Sequence, residues 1–366
     1  MLMNDSARIA VVGAGWWATS VHIPALLANP AAELAALCDA DSQRLAAAAQ
    51  EFGVQRTYTS LAEMLAHERL DGAIIATPHA THYALARACL AAGLHVLVEK
   101  PLTLYAAEAR DLVRLARAQG RELLVGYPWS YSPLVVRLRD LLASGALGAG
   151  QFVSCVFNSY TLNLLRGDDH ADRPGAYRVH GPGAVYSQPQ LSGGGHGHLQ
   201  LTHSIGLMSF VTGLRPRRVS ALMNNHGLAL DLVDAIVVEF EGGALGVLGG
   251  SSNARPSNLD LQIHCERGAL LLDMLGGSAR IHGADGAVET VQLSAEDAAY
   301  PAAAPSANLV AIARGQAGNG SPGEPGWRTV EVLDAAYRSA RAGGQPVLID
   351  ELYAGEPLHS AGQEAA

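Results

Sequence analysis

Charge and aromatic rings are both scarce in this chain. Asp, Glu, Lys and Arg make up 16% of its 366 residues, and Phe, Trp and Tyr only 5%. Acidic residues outnumber basic ones, 34 to 25, for a net charge of −9, and the basic residues are scattered. Without a Lys/Arg cluster nothing grips a phosphate backbone, so nucleic acid is excluded as a partner. No apolar run reaches the roughly 18 residues of a membrane span, and no membrane partner is expected. Met1 to Arg8 lacks the basic segment and following apolar segment of a signal peptide, so a cytoplasmic location is expected. The four cysteines, Cys38, Cys89, Cys155 and Cys265, form no C-x-x-C pair. Buried, reduced thiols are the plain reading. What is abundant is apolar content, 49% of residues, uninterrupted by polar low-complexity sequence. A folded globular protein follows, and its length exceeds one ordinary core, so two domains are expected.

The first half alternates strand-like and helix-like runs. Strands are expected at Arg8 to Val12, Leu34 to Cys38, Gly72 to Ala76, His95 to Val98 and Leu123 to Val125. Helices are expected after the first strand to about Asn29, then over Ser42 to Phe52, Thr81 to Ala92 and Ala106 to Gln119. Such alternation predicts a parallel sheet, the doubly wound α/β class. The first strand runs into Gly13-Ala14-Gly15-Trp16-Trp17-Ala18. In a Rossmann turn, Gly13 would allow the tight bend and Gly15 would let the backbone approach a pyrophosphate. Ala18 would let the helix pack closely, with its N-terminus facing the anion. Asp39 ends the second strand at about the spacing of a ribose-hydroxyl ligand. Its carboxylate would repel a 2′-phosphate, so NAD is expected over NADP, although Arg44 lies nearby in sequence.

Three further segments sharpen this reading. They are Ala76-Thr77-Pro78-His79-Ala80-Thr81-His82, then His95-Val96-Leu97-Val98-Glu99-Lys100-Pro101, then Gly126-Tyr127 followed by Tyr131-Ser132-Pro133. Together they resemble the glucose–fructose oxidoreductase / inositol dehydrogenase / rhizopine catabolism (Gfo/Idh/MocA) family, Glu-Lys-Pro being the most specific mark. Phe240 to Gly246 is similar to a family hairpin, and Glu331 to Val347 to its C-terminal helix and final strand. The resemblance implies a Rossmann domain, placed at residues 1–128. It implies a second α/β domain at 129–366, built on a large, mostly antiparallel sheet for substrate binding and oligomer contact. Strand-like runs at Phe152 to Phe157, Ala235 to Phe240, Leu245 to Gly249, Leu259 to His264 and Ala269 to Leu272 agree with it.

Hydride transfer from an alcohol carbon needs a group to take the hydroxyl proton. The family places the lysine of Glu-Lys-Pro there, which makes Lys100 the candidate base, with Glu99 beside it. The family also carries glycines, an aspartate and a histidine four residues later. Here Gly193 to Gly197 lead to Leu199 in the aspartate position and His203 in the histidine position. A carboxylate relay is therefore absent. His203 is expected to join in proton transfer, since an unperturbed imidazole titrates near 6.5. On a regular helix starting near Gly195, His196, Gln200 and His203 would share one face, making His196 and Gln200 candidate substrate ligands with Tyr127 and Tyr160. Thr77, Pro78, His79 and His82 are expected along the cofactor groove, and Trp16 and Trp17 at the glycine loop. The loops of Asn158 to Gln190, including Arg166, Asp168, His170, Arg173, Tyr177, Arg178, His180 and Tyr186, are expected to face the substrate. His196 and His198 diverge at i, i+2, so no metal site is expected.

The resemblance thus implies an NAD-dependent oxidoreductase acting on a sugar, inositol or related polyol, as a homodimer or homotetramer. The alternative is an NAD-dependent glycosidase working by transient oxidation and elimination, which the altered proton-transfer set keeps open.

Overall fold

The β-branched runs of the first half form a six-stranded parallel sheet. In the computed structural model, which describes residues 6–168 and 177–354, its strands are β1 (Ala7–Val12), β2 (Ala32–Cys38), β3 (Thr57–Tyr58), β4 (Gly72–Ile75), β5 (His95–Val98) and β6 (Leu123–Val125). Their order is β3-β2-β1-β4-β5-β6 and every pair is parallel, the arrangement of a Rossmann sheet. The order reverses between β1 and β4, so a crevice opens at their C-terminal ends. Strands buried on both faces read as continuous apolar runs, and β4 and most of β1 do so here. The two-residue β3 and the helix Leu61–His67 were not expected; both are too short to leave a periodic signal.

A second, nine-stranded sheet comprises β7 (Gly150–Tyr160), β8 (Pro216–Asn224), β9 (Val233–Phe240), β10 (Leu245–Ser251), β11 (Asn253–Cys265), β12 (Ala269–Asp273), β13 (Ser278–His282), β14 (Val288–Gln292) and β15 (Val347–Leu348). Its order is β14-β13-β12-β11-β7-β10-β9-β8-β15, antiparallel except between β10 and β7. The Phe240–Gly246 segment is the turn of the β9–β10 hairpin, as expected.

One face of this sheet carries the helices Thr202–Thr212 and Gly323–Arg341, with Val153, Cys155, Val238 and Leu248 buried beneath them. Among the described residues the other face is left bare. Phe152, Leu222, Val237, Leu245 and Val247 alternate with buried neighbours and are 39–65% exposed. Leu245 pairs with Phe152, and Val247 with Val237, so these side chains form one apolar patch. The helix Ala304–Ala313 returns from late in the chain to the first sheet, where Leu309, Val310 and Ile312 pack with Ile9, Val11 and Leu124. All four cysteines are buried and unpaired. Among the described residues no helix is long and apolar enough to cross a membrane.

Candidate functional site

The residues that follow the strands of the first sheet line the crevice. Gly13, after β1, has φ +97°, and a Cβ there would collide with the Ala76 carbonyl after β4. Only glycine fits so close a crossing. At Gly15 a Cβ would meet nothing within 4 Å, so the backbone there faces open space. The first bond of the following helix runs from Thr19 N–H to the Gly15 carbonyl, so the four N–H groups before it have no partner within the helix. Asp39 Oδ2 accepts from Ala14 N–H at 2.7 Å and Oδ1 from Asp41 N–H at 2.8 Å. The carboxylate thus ties the glycine loop to the end of β2. Arg44 Nη1 also donates to both oxygens, at 3.5 and 3.4 Å, so a ribose hydroxyl would share the carboxylate with these long bonds. Arg44 lies 3.4 Å from Asp39 and 3.2 Å from Asp41, so its charge is shared between two carboxylates. An open glycine cradle, helix amides without a partner in the helix and a buried carboxylate just after β2 fit a dinucleotide.

Glu99 and Lys100 follow β5 and diverge. Glu99 is buried and accepts from Trp17 Nε1 (3.0 Å), His22 Nε2 (3.0 Å) and Lys100 N–H (3.2 Å). Burial opposes its ionisation. The hydrogen bond and charge of His22, with Lys100, outweigh burial and hold the carboxyl below its ordinary range. Glu99 therefore anchors the first helix from within. His22 completes that anchor by reaching Ser306 with its other nitrogen at 2.7 Å.

Lys100 is the only lysine in the chain. Its Nζ donates to the main-chain carbonyl of Leu199 at 3.0 Å. A main-chain oxygen therefore meets the amine from the residue where the family carries a carboxylate. Burial lowers the Lys100 pKa from 10.5 to about 8, against a smaller upward pull from Glu99.

The segment Gly197–Leu201 is a π-helical turn, in which Thr202 N–H reaches the Gly197 carbonyl, and the α-helix starts only at Thr202. The wider turn breaks the expected i, i+4, i+7 face. His196 is fully buried, and its Nδ1 contacts Ser252 Oγ at 2.8 Å on the sheet side, not the crevice. Gln200 is part-exposed. His203 lies among Trp129 (ring centroids 5.5 Å apart), Tyr127 (6.3 Å) and Tyr300 (6.5 Å). Burial and the Lys100 charge hold its pKa well below 6.5, so the imidazole is neutral at neutral pH. That departs from the expected titration near 6.5. Trp129 and Tyr300 were missed in the sequence. Trp129 stood between two quoted motif fragments, and Tyr300 lies 97 positions after His203 in a segment without periodicity.

Other expected ligands are placed differently. Tyr127 is buried and its hydroxyl contacts Thr202 Oγ1 at 2.9 Å, while Gly206 leaves room for its ring. Tyr160 falls in the outward-facing set of β7 with Phe152, under the Arg255 guanidinium at 3.7 Å. The strand alternation therefore turns it away from the face that holds Phe157, which touches Trp129. His82 braces the carbonyls of Thr77 (2.9 Å) and Pro101 (2.8 Å), so both its nitrogens are engaged within the fold. Thr77 is fixed by the Thr81 hydroxyl at 2.7 Å, and Pro78 caps the short turn that follows. His79 Nδ1 donates to the Ser192 carbonyl at 2.9 Å, linking the cofactor groove to the second half of the chain. Tyr177 approaches Trp16 (6.0 Å), which packs edge-on to Trp17, and Tyr186 approaches His79 (5.7 Å). This stretch therefore borders the glycine loop. His170 and Arg173 lie outside the described residues.

Comparison with known proteins agrees with this geometry. Residues 7–127 match the oxidoreductase family with an NAD-binding Rossmann fold, and residues 135–271 match the GFO/IDH/MocA C-terminal domain. D-apiose dehydrogenase of Paraburkholderia graminis is 37% identical over 139 residues, covering 38% of this chain and 37% of that protein. Trans-1,2-dihydrobenzene-1,2-diol dehydrogenase of Oryctolagus cuniculus is 30% identical over 251 residues, 68% of this chain and 70% of that one. For the first three curated relatives the chain spans 37–45% of their length. The crystal structure of GenD2 from gentamicin A biosynthesis, in complex with NAD, superposes with a TM-score of 0.74 at 26% identity, covering 94% of this chain and 96% of that one. With its six-stranded Rossmann sheet, its Glu-Lys-Pro after β5 and both halves matched, the chain belongs to the Gfo/Idh/MocA family of oxidoreductases.

Proposed function

We propose that this protein is an NAD-dependent dehydrogenase acting on a CH–OH group of a sugar, inositol or related polyol. In this reading residues 1–128 carry the dinucleotide, and residues 129–366 carry the substrate and the contact between copies. The observation that carries it is Lys100: a lone lysine just after β5 at the crevice, half-buried, hydrogen-bonded at Leu199 and depressed to about 8. When bound, the nicotinamide supplies hydride acceptance or donation. The neutral Lys100 amine takes the proton of the reacting hydroxyl, and returns it in the reverse direction. His203, neutral and walled by Trp129 and Tyr300, holds a substrate hydroxyl by hydrogen bonding. Gly13, Ala14 and Gly15 cradle the pyrophosphate, and Asp39 takes the ribose hydroxyls and selects NAD over NADP. Relatives named for D-apiose and for a dihydrodiol are consistent with a vicinal-hydroxyl substrate.

The bare apolar face of the nine-stranded sheet is assigned to a second copy of the chain, because a patch of this size is seldom left in water. The test of function is a screen of the purified protein with NAD against sugars, inositols and sugar acids, following NADH absorbance. Net NADH with one of them supports the dehydrogenase. Turnover of a glycoside without net NADH would replace it with a redox-neutral glycosidase.

A further inference from the structure

Around the start of the π-helical turn lies a buried polar cluster that the proposed chemistry does not use. At its centre is Asp231. Its Oδ1 accepts from Gly195 N–H (2.7 Å) and from the Tyr337 hydroxyl (3.0 Å), and its Oδ2 accepts from Gly197 N–H (2.8 Å). Its own main-chain carbonyl accepts from His196 N–H at 2.9 Å. One residue thus holds three successive amides, those that open the π-helical turn. The glycines there are needed for the approach. A Cβ at Gly195 would collide with the Asp231 carbonyl, and one at Gly194 or Gly197 with the Tyr337 hydroxyl. Around Asp231 stand His196, His198 stacked on Tyr337 at 4.6 Å, and Asp234, all buried. Burial and the Asp231 charge raise the Asp234 carboxyl well above its ordinary range.

The turn so held leads directly to the atom that meets the lysine. Leu199 N–H donates to the Gly195 carbonyl at 2.8 Å, and the Leu199 carbonyl accepts from Lys100 Nζ at 3.0 Å. We propose that Asp231, braced by Tyr337, is a positioning residue that fixes the Leu199 carbonyl as the hydrogen-bond acceptor of the Lys100 ammonium, doing through the main chain what a side-chain carboxylate at position 199 would do directly. The inference rests on the reading of Lys100 as the proton acceptor, but its test does not depend on turnover. The titratable groups facing Lys100 are Glu99, His79, His82 and His203, and Asp231 acts on it only through the turn.

Because the chain has one lysine, labelling with 13Cε-lysine gives a single side-chain resonance, and its pH titration reads Lys100 in the full-length protein without cofactor or substrate. Asp231→Asn keeps one amide acceptor and turns an NH2 group toward the other amide, so the turn loosens. Loss of one charge-assisted hydrogen bond to the ammonium is expected to lower the Lys100 pKa by about one pH unit. Tyr337→Phe removes one brace from Asp231 and changes no charge, so a fall of a few tenths of a pH unit there excludes a simple field effect. An unchanged titration in folded Tyr337→Phe overturns the proposal, and so does a rise toward the ordinary lysine value in either variant, which would mean that the turn only seals the crevice from water. If Asp231→Asn does not fold, Tyr337→Phe decides alone. Retained activity in Lys100→Ala would refute the catalytic reading and leave the Lys100 titration, and hence the clamp, separately decided.

Discussion

Replacing Lys100 by Met removes the amine and keeps most of the side-chain length, and it should make the protein more stable and inactive at once. The depression from 10.5 to about 8 means that the fold disfavours the ammonium. At about 1.36 kcal/mol per pH unit this costs the native state about 3 kcal/mol at neutral pH. The sign follows from proton binding. Between about 8 and 10.5 the unfolded chain holds the proton while the folded one has released it, so stability rises with pH across that window. Below it both states are charged and the full cost is present. Met carries no charge to desolvate, but it leaves the Leu199 carbonyl without its donor, which takes back about 1 kcal/mol. The expected net gain is therefore about 2 kcal/mol at neutral pH, shrinking as pH rises. The same depression serves the chemistry. At pH 7 about a tenth of Lys100 is neutral, against about one in 3,000 of an ordinary lysine. Urea unfolding at several pH values and NADH-coupled rates give both readings on one preparation. Turnover should fall by about 10²–10⁴-fold, and the wild-type rate of oxidation should rise with pH to a plateau above about 8. A variant that keeps more than about a tenth of the activity, or gains no stability, would refute the reasoning.

Three other outcomes follow from the same geometry. Asp39→Ser should narrow the preference for NAD over NADP about tenfold or more by removing a charge facing the 2′-phosphate, and calorimetry that finds the native protein already favouring NADP would contradict the assignment. Val247→Glu, at the centre of the bare sheet face, should convert a dimer or tetramer to a smaller species in light scattering; an unchanged mass would place the contact elsewhere. His203→Asn should lower turnover or raise the substrate KM without moving an inflection of the pH–rate profile near neutral pH, because burial and the Lys100 charge already keep the native imidazole neutral there. A shift of that inflection would mean that His203 titrates during turnover.

The first sheet was legible because its strands are short, fully buried apolar runs punctuated by helices with clear periodicity, and β5 and β6 were placed to the residue. The second sheet was legible only in part. Strands β8, β13 and β14 carry Arg, Glu and Gln at exposed positions, and their alternation is too weak to read without their partners. At the site, Lys100 and His203 could be singled out because each follows a motif. It misplaced His196 because spacing presumes a regular helix, whereas Asp231, some 35 residues away, holds the turn open into a π-helical register. Tyr160 was misjudged for a related reason. The composition of a loop-rich stretch says nothing about which face of a strand a residue takes, and that parity is fixed by pairing with β10 and β11.

The return of the helix Ala304–Ala313 to the first sheet has a consequence for how the chain is made. Leu309, Val310 and Ile312 complete the packing of Ile9, Val11 and Leu124, and Ser321 exchanges hydrogen bonds with Val125 at the last strand. Three buried aliphatic side chains contribute on the order of 5 kcal/mol, comparable to the whole net stability of many domains. As the chain leaves the ribosome, the six strands from Ala7 to Val125 therefore emerge as a sheet with one flank uncovered, and must wait for nearly two hundred further residues before that flank closes. Synthesis at about 5–20 residues per second makes this wait on the order of ten seconds or more, during which an apolar surface is open to other chains. The nucleotide-binding half, first in the sequence, is thus among the last parts to be finished.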